Sequence, residues 1–359
     1  MKRILMTTAA FGLAAGMAQA GGVERSHSPY AILWEKGNYA ELSFGHVAPK
    51  VSGSVGGGLV QSGDMSDDYT QFGLGVKYAI NDRLDVAVVL DQPIGADIAY
   101  PAGTGYPLAG STGTIDSTAI TALARYKFDG GFSVHGGIKA ERAKGAVALS
   151  SGYTMTTSTE TDVGYLIGAA YEKPEIALRV ALTYQSAIKH DFEATENIIP
   201  AGPTPFTTEV PQSVTLDFQS GVAKDTLVFG SIRWRDWSEF EIRPIGFDGL
   251  PPPGGGALVD YAKDTVTWTL GVGRRFNENW SGAISFGYED SNGFTTGNLG
   301  PHDGMKSITL GGTYTKDNMK ITAGVSYIKV GDATTNPPIS GRFTGNEAVG
   351  FGMKIGYSF

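Results

Sequence analysis

The last eleven residues of the chain, Val349–Phe359, read VGFGMKIGYSF and decide the fold class. Apolar and aromatic side chains occupy every second position of this stretch: Val349, Phe351, Met353, Ile355, Tyr357 and Phe359. Glycine, lysine and serine fill the positions between them. Successive side chains of a β-strand point to opposite faces, so the pattern predicts a strand with one apolar face that ends at an aromatic residue.

The same two-residue period extends back through most of the chain, and helical periodicity is scarce. Glycine and aromatic residues punctuate the alternating runs, as is typical of β-structure. The predicted strands span residues 38–48, 68–80, 83–92, 114–128, 131–143, 158–172, 175–186, 211–222, 226–237, 262–276, 279–290, 304–315, 319–330 and 347–359.

The connections between these fourteen predicted strands alternate between short and long. Residues that form tight turns fill the short ones, at 81–82, 129–130, 172–174, 223–225, 277–279 and 316–318. The long ones cover about 49–67, 93–113, 144–157, 187–210, 238–261, 291–303 and 331–346. Tight turns at one end, long loops at the other and an even strand count are typical of an outer-membrane barrel. The sequence therefore predicts an all-β fold, a transmembrane antiparallel β-barrel of about fourteen strands.

The two faces of the predicted strands differ in polarity. In 226–237, Arg233 and Arg235 share one face, and Val228, Ile232 and Trp234 share the other. In a membrane barrel the apolar face meets lipid and the polar face lines the lumen. Aromatic residues near the strand ends predict the girdles that such barrels place at both membrane interfaces.

Composition narrows the functional classes further. The chain has 359 residues, 51 glycines, no cysteine and a formal net charge of −8. The absence of cysteine excludes a disulfide framework, thiolate metal sites and a cysteine nucleophile. An acidic balance disfavours nucleic-acid binding, which needs a basic face.

The N-terminus predicts export. Residues 1–20 combine the basic Lys2 and Arg3, an apolar run from Ile4 to Met17 and an Ala18-Gln19-Ala20 cleavage site, so they predict a signal peptide. Residues 21–37 then form a short segment that can reach into the lumen, and residues 38–359 form the barrel. The predicted location is the bacterial outer membrane.

The C-terminal half resembles the FadL-type outer-membrane channels for long-chain fatty acids and other hydrophobic compounds. The block Trp234-Arg235-Asp236-Trp237-Ser238-Glu239-Phe240 carries the most specific likeness, and the segments 263–276, 279–282, 323–327 and 350–359 extend it. The resemblance implies a fourteen-stranded barrel and uptake of hydrophobic compounds. It is good over about 206–359 and looser before that.

The family resemblance fails at the N-terminus. Such channels carry a hatch of roughly forty residues with an Asn-Pro-Ala motif, whereas only residues 21–37 precede the first strand here, and Asn38-Tyr39-Ala40 stands at the motif. The resemblance also implies lateral exit through a gap at a kinked third strand. Pro93 and Gly95 follow the third predicted strand and indicate such a wall defect, unless Pro93 merely ends the strand.

Ligand capture is predicted for the two longest loops. Loop 187–210 carries Ile198, Ile199 and Phe206, and loop 238–261 carries Phe247. Apolar patches on exposed loops often bind ligands, although packing of one loop on another is the alternative. A fatty-acid carboxylate needs a cation. Arg179, Arg233 and Arg235 are the candidates, unless they form a structural charge network across the lumen.

The sequence favours transport over catalysis. It has no nucleophile-elbow, phosphate-loop or dinucleotide motif, its five histidines lack metal-ligand spacing, and no cofactor is expected. The alternative function is a general diffusion porin for small polar solutes. Expected partners are a hydrophobic small molecule, outer-membrane lipid and lipopolysaccharide, and the barrel assembly machinery, which would recognise Phe359.

Overall fold

Fourteen antiparallel strands form a closed barrel in the computed structural model, which describes residues 23–26, 28–251 and 255–359. The predicted signal peptide, residues 1–20, lies outside the described residues. The wall strands are β1 (Tyr39–Lys50), β2 (Tyr69–Ala79), β3 (Leu84–Asp91, continued by Gly95–Ala99), β4 (Thr112–Lys127), β5 (Phe132–Ala148), β6 (Glu160–Lys173), β7 (Leu178–Gln185, continued by Ile188–Glu196), β8 (Ser213–Ala223, preceded by Thr204–Val210), β9 (Thr226–Arg235), β10 (Thr265–Arg275), β11 (Trp280–Glu289), β12 (Met305–Lys316), β13 (Met319–Val330) and β14 (Glu347–Ser358).

The first and last strands close the barrel. β1 pairs with β14 from Tyr39↔Ser358 to Lys50↔Glu347, and it pairs with β2 on its other side. Each further wall strand pairs with its neighbours in sequence. Closure leaves no unpaired sheet edge in contact with lipid, where an unsatisfied backbone group would be costly. The predicted fold class and strand count are confirmed.

The tight turns all lie at one end of the barrel. Asp225 and Asp317 adopt left-handed backbone conformations there, with φ of 57° and 52°, and Gly130 has φ of 83°. Asp and Gly tolerate this conformation better than other residues. The turn sequences therefore fix the strand order by joining each pair of neighbours directly.

The outer face of the wall is apolar and the inner face is polar. Large apolar side chains are 50% to 64% exposed on the outside, among them Leu42, Leu74, Ile138, Val163, Leu182, Leu270, Phe286 and Leu310. Charged side chains are buried inside, among them Lys77, Asp85, Arg125, Glu141, Arg179, Arg233, Arg235 and Lys320. This reversal of the usual burial pattern is that of a barrel in a membrane.

The predicted loop over 187–210 is wrong, because most of it is a hairpin. Ile188–Glu196 pairs with Thr204–Val210 in register from Ile188↔Val210 to Ala194↔Thr204. The side chains of Ile188–Glu196 alternate between buried and exposed, so the segment is an ordinary two-faced strand. The short strand Thr154–Thr157 pairs with its end and with the end of β5.

Smaller elements lie in the long loops and the lumen. Four short strands, Gly53–Val55, Val60–Gln61, Ala333–Thr334 and Arg342–Phe343, form a separate sheet, and Glu241–Ile242 pairs with Val259–Asp260. The one α-helix among the described residues is α1 (Ile245–Asp248). The 3₁₀ turns are Pro29–Trp34, Gly56–Gly58, Asp129–Gly131, Pro174–Ile176 and Trp237–Glu239. No helix in the described ranges is long and apolar enough to cross a membrane.

Candidate functional site

An apolar cavity of about 90 Å³, here called the chamber, lies inside the loop end of the barrel. Its walls come from the extended ends of β3, β4, β5, β7 and β8 and from the loop between β9 and β10. The apolar lining includes Val23, Ile94, Ala96, Ile98, Ile115, Ala143, Val147, Met155, Phe192, Phe206, Val210, Phe240, Ile242, Leu258, Val259 and Leu299. A dry apolar cavity of about 150 Å³ holds benzene, so a compact apolar molecule would need only a modest expansion of the chamber.

A cluster of charged groups borders the chamber. Glu141 is fully buried, and Lys139 Nζ lies 2.6 Å from its Oε2. His190 is also fully buried, and its Nδ1 lies 2.9 Å from Asp162 Oδ2. His190 Nε2 lies 3.6 Å from Glu141 Oε1. The polar part of this site therefore holds two carboxylates beside the histidine, and the lysines next to it, Lys139 and Lys144, are each paired with a carboxylate.

A short N-terminal run, described over residues 23–26 and 28–37, lies inside the barrel and is here called the luminal segment. Its 3₁₀ turn Pro29–Trp34 buries Tyr30, Ile32 and Leu33 against inward-facing residues of the wall. Burial and the nearby Asp217 carboxylate raise the pKa of Tyr30. The phenol therefore stays protonated, and its hydroxyl donates to Asp217 Oδ2 at 3.1 Å.

Ion pairs fasten the luminal segment to the wall. Arg233 donates to Glu24 Oε1 at 2.7 Å, and Arg235 pairs with the same oxygen. All three side chains are buried. Removing one partner of a buried ion pair typically costs about 3–5 kcal/mol, so this contact strongly favours the seated segment.

Trp34 and Glu35 fasten the other end of the luminal segment. The guanidinium groups of Arg125 and Arg179 lie 4.3 Å and 4.8 Å from the Trp34 ring centre, within cation–π range. Lys320 Nζ lies 2.7 Å from Glu35 Oε1. The segment is thus attached near both of its ends.

β3 is interrupted at Gln92-Pro93-Ile94. The ladder between β2 and β3 ends at Leu74↔Leu90, and the Phe72 amide donates to the Gln92 side chain instead of a backbone carbonyl. Pro93 has no N–H for the ladder. The Ile94 amide donates to Ser117 Oγ, which donates to the Ile94 carbonyl in turn. Both backbone groups of Ile94 are therefore satisfied by one side chain of β4.

The luminal segment pairs with this kink from inside the barrel. The Arg25 amide donates to the Pro93 carbonyl at 2.7 Å, and the Gly95 amide donates to the Val23 carbonyl at 2.8 Å. The Arg25 side chain lies over the Tyr69 ring and pairs with Asp97 at 2.5 Å. A Cβ at Gly95 would lie 2.3 Å from the Arg25 guanidinium carbon, so glycine is needed for this close approach.

A cavity of about 150 Å³, here called the wall cleft, lies where the β2–β3 ladder is missing. It is lined from the lumen by Arg25, Ser26 and Ser28, and from the outer face by Phe72, Leu74 and Leu90. The same cleft thus touches both faces of the wall. Val23 of the luminal segment lines the chamber, and so do Ile94 and Ala96 at the kink of β3. The chamber therefore reaches the kink.

The loop between β9 and β10, described over 236–251 and 255–264, covers the chamber and is here called the cover. Glu196 at the end of the β7 extension anchors it. The amides of Gly246 and Phe247 each donate to the Glu196 carboxylate at 2.8 Å, and the Tyr153 hydroxyl donates to it at 2.7 Å. Burial and this hydrogen bond raise the pKa of Tyr153, which keeps its proton available.

The structure brings together only some of the predicted site residues. Phe206 lines the chamber, and Phe247 packs against Tyr153 with ring centres 5.0 Å apart. Ile198 is 39% exposed and Ile199 is half-buried near the cover. Pro93 and Gly95 lie at the kink described above.

The three predicted arginines lie outside the chamber lining. Arg233 and Arg235 hold Glu24, and Arg179 stacks on Trp34. They form part of a charge network across the lumen, which was the alternative stated for them. The sequence interpretation missed Val23, Glu24 and His190. The alternation Ile188, His190, Phe192, Ala194 in the supposed loop was a usable signal for the last of these.

The barrel, its apolar outer band and its filled lumen with an internal apolar chamber define an outer-membrane transport protein. The family model described as "Outer membrane protein transport protein (OMPP1/FadL/TodX)" matches residues 50–359, and the chain belongs to this family. No curated protein matches the sequence. Among the described residues, no group of three or more His, Cys, Asp or Glu side chains could hold a metal ion.

Solved structures share the fold at low sequence identity. A Pseudomonas aeruginosa FadL homologue has a TM-score of 0.75 and 16% identity, covering 99% of this chain and 98% of its own. The Ralstonia pickettii toluene transporter TbuX has a TM-score of 0.68 and 14% identity, with 97% and 98% covered. The Pseudomonas putida toluene transporter TodX has a TM-score of 0.66 and 12% identity, with 96% and 97% covered.

Proposed function

We propose that this protein takes up neutral hydrophobic compounds across the outer membrane through the chamber and the wall cleft. The observation that carries the proposal is the chamber itself, which is almost wholly apolar and reaches the kink of β3 at Ile94. Burial of apolar surface would supply the affinity, at roughly 25 cal/mol for each Å² removed from water. TbuX and TodX, which share the fold, are toluene transporters, and this supports the same class of ligand.

Charge favours neutral compounds over fatty-acid anions. Glu141 borders the chamber and Asp162 lies behind His190, so an incoming carboxylate would meet like charge. Arg233 and Arg235 share the Glu24 carboxylate, and their remaining N–H groups without a hydrogen bond lie outside the chamber. Long-chain fatty acids therefore stay in the proposal as ligands that would bind by a different route, at these arginines.

Capture is proposed for the rim of the cover. Ile198, Ile199 and Phe247 lie there around α1, outside the chamber but next to it. Apolar groups at such a rim would hold a hydrophobic compound before it enters. Because Leu258 and Val259 of the cover line the chamber directly, entry would require the cover to move.

Exit is proposed to be lateral, between β2 and β3 at Pro93 and Gly95. The ladder is already missing there, and the cleft touches lumen and outer face alike. A compound leaving by this route would enter the lipid without crossing the polar lower lumen. The N-terminal luminal segment would close this route in the resting state.

A disulfide across the cleft tests the proposal. Phe72→Cys with Gln92→Cys continues the β2–β3 register beyond its last pair, Leu74↔Leu90. Oxidation should lock the cleft and abolish uptake of labelled toluene into proteoliposomes, and reduction should restore it. The matched control, Leu74→Cys with Leu90→Cys, joins strands that are already paired, so its oxidation should leave uptake unchanged.

Other results would contradict the proposal in different ways. Undiminished uptake by the oxidised Phe72–Gln92 pair would reject lateral exit. No uptake by the unmodified protein, together with a large steady single-channel current, would support the alternative, a general diffusion porin. The luminal segment fills the lumen with buried apolar residues, and this observation favours the hydrophobic-compound channel.

We also propose the remaining partners and the non-enzymatic role. The C-terminal Phe359 is 52% exposed and lies beside Tyr78, where the barrel assembly machinery could recognise it. The exposed outer band would contact lipid, and the loop end would contact lipopolysaccharide. The family's transport role and the apolar site support a channel without catalytic activity.

A further inference from the structure

Besides the Glu141 carboxylate, whose Oε2 lies 2.6 Å from Lys139 Nζ and whose Oε1 lies 3.6 Å from His190 Nε2, two buried polar atoms that line the chamber have no hydrogen-bond partner among the described residues. They are Nε2 of His190, whose residue is 0% exposed, and Oγ1 of Thr208, whose residue is 6% exposed. Both residues line the chamber. Buried polar groups in proteins are nearly always satisfied, so two such atoms facing one cavity indicate a missing partner.

The two residues face each other across neighbouring strands. His190 and Thr208 are directly paired in the register of the hairpin, between the apolar pairs Ile188↔Val210 and Phe192↔Phe206. Directly opposed side chains have Cβ atoms roughly 4.5–5.5 Å apart. The chamber wall therefore carries one polar cross-strand pair, His190↔Thr208, which is here called the rung. It lies between two apolar pairs, and one small group could reach both polar atoms.

The hydrogen-bonding capacity of this rung matches a hydroxyl group. Asp162 can only accept at His190 Nδ1, so Nδ1 carries a proton, and in the neutral ring Nε2 is an acceptor. The Thr208 hydroxyl both donates and accepts. A ligand hydroxyl can donate to one atom while accepting from the other, and it can reverse these roles if the imidazole is charged. A hydrocarbon satisfies neither atom, and a ketone satisfies only a donor.

Charge around the rung excludes anions. Glu141 Oε1 lies 3.6 Å from His190 Nε2, and Asp162 occupies the other side of the ring. The nearby cations are already paired, Lys139 with Glu141 and Lys144 with Asp116. A carboxylate in place of the hydroxyl would therefore add a third negative group to a site that holds two.

We propose that His190 and Thr208 form a hydroxyl-binding subsite that selects an apolar ligand carrying one neutral hydroxyl, such as an alcohol or a phenol. The proposal rests on the proposed function, since it assumes that the transported compound occupies the chamber. The preferred order is alcohol, then hydrocarbon of the same size, then carboxylate. Making two otherwise absent hydrogen bonds should favour the alcohol by at least about tenfold after correction for partitioning.

Three probes with one ring and one varied substituent test this order: toluene, benzyl alcohol and benzoate. Binding to the full-length protein in detergent micelles is measured by equilibrium dialysis, with protein-free micelles as the partitioning reference. Thr208→Val keeps the shape of the side chain and removes its hydroxyl. This variant should lose about tenfold in benzyl alcohol affinity while its toluene affinity stays the same or rises. Thr207→Val is the matched control, because its neighbouring side chain faces outward and donates to Asp191.

The outcomes separate this proposal from the proposed function. Equal affinity for toluene and benzyl alcohol, unchanged in Thr208→Val, would overturn the subsite while leaving the hydrophobic channel intact. Tightest binding of benzoate would overturn it as well. Failure of the unmodified protein to bind any of the three would count against the chamber as a ligand site altogether. Circular dichroism of both variants verifies that the barrel is folded.

Discussion

At the residue scale, substitution of Glu24 is predicted to destabilise the seated luminal segment more than any other single change. Glu24 forms ion pairs with Arg233 and Arg235, and all three side chains are buried. Glu24→Gln should remove the carboxylate that the two guanidinium groups share and unseat Val23–Ser26. At about 3 kcal/mol, hydrogen exchange of the Gly95 amide, which donates to Val23, should accelerate about a hundredfold.

The matched control for Glu24 is Glu241→Gln. Glu241 also pairs with an arginine, Arg243, but both side chains are more than 40% exposed. Exposed ion pairs contribute about 0–1 kcal/mol, so this variant should change Gly95 exchange little. Unchanged exchange in Glu24→Gln would show that the ion pairs do not hold the segment.

A second residue-scale prediction concerns Ser117. Its hydroxyl bonds both the amide and the carbonyl of Ile94 in the kink. Ser117→Ala should leave both groups unsatisfied and destabilise the barrel by about 1–3 kcal/mol. Urea unfolding of protein in lipid vesicles measures the change. Ser150→Ala, which removes an exposed hydroxyl in a loop, should be nearly neutral, and equal stability of the two variants would contradict this role.

At the element scale, Glu196 determines whether the cover stays ordered. α1 has only four residues, too few to be stable alone. Its position depends on the Gly246 and Phe247 amides that bond Glu196. Glu196→Ala should loosen the cover by about 2–4 kcal/mol, and chymotrypsin should then cleave faster after Phe247. Glu193→Ala, an exposed side chain of the same strand, is the control, and equal cleavage of both would refute the anchor.

The wall was predictable from sequence because lipid imposes one strict rule on every strand. Outward residues such as Leu270 and Leu310 must be apolar, so the two-residue period is visible in each segment. The hairpin within 187–210 escaped because it extends beyond the lipid, where its outer face carries Lys189, Asp191 and Glu193. There the alternation marks an inner apolar face, as in a soluble sheet.

The candidate site was only partly predictable. Phe206 was found because it is apolar in a supposed loop. Glu24 was not, because its partners lie 209 and 211 residues away and nothing local marks the contact. The alternation of side chains correctly placed the arginines on the lumen face. Alternation identifies only the face of the strand, however, and not the partner of a side chain.

At the scale of the whole molecule, barrel size makes the luminal segment necessary. Eight strands enclose just enough room for side chains, whereas sixteen leave an aqueous channel. A fourteen-stranded barrel therefore needs filling. Here that filling comes from the described residues of the luminal segment and the network of inward charges. Deleting residues 23–35 should convert a channel with little ionic conductance into one with a large steady current in planar bilayers.

Lys36→Ala is the companion to this deletion, since it keeps the segment and shortens one exposed side chain. Its current should stay near that of the unmodified protein. Circular dichroism checks that the deleted protein keeps its strand content. A deletion variant that is folded but carries no ionic current would mean that wall side chains alone block the lumen.

The hydrogen bonds that join Val23–Ser26 to Pro93–Gly95 have a thermodynamic consequence. Because the same bonds hold the luminal segment and stiffen the third strand, neither can be released without weakening the other. Any molecule that dislodges the luminal segment lowers the work of parting the strands by the amount that parting them would improve its own affinity. Binding of a compound in the lumen and opening of the wall are then thermodynamically coupled, and the wall stays closed to the lipid when no compound is bound.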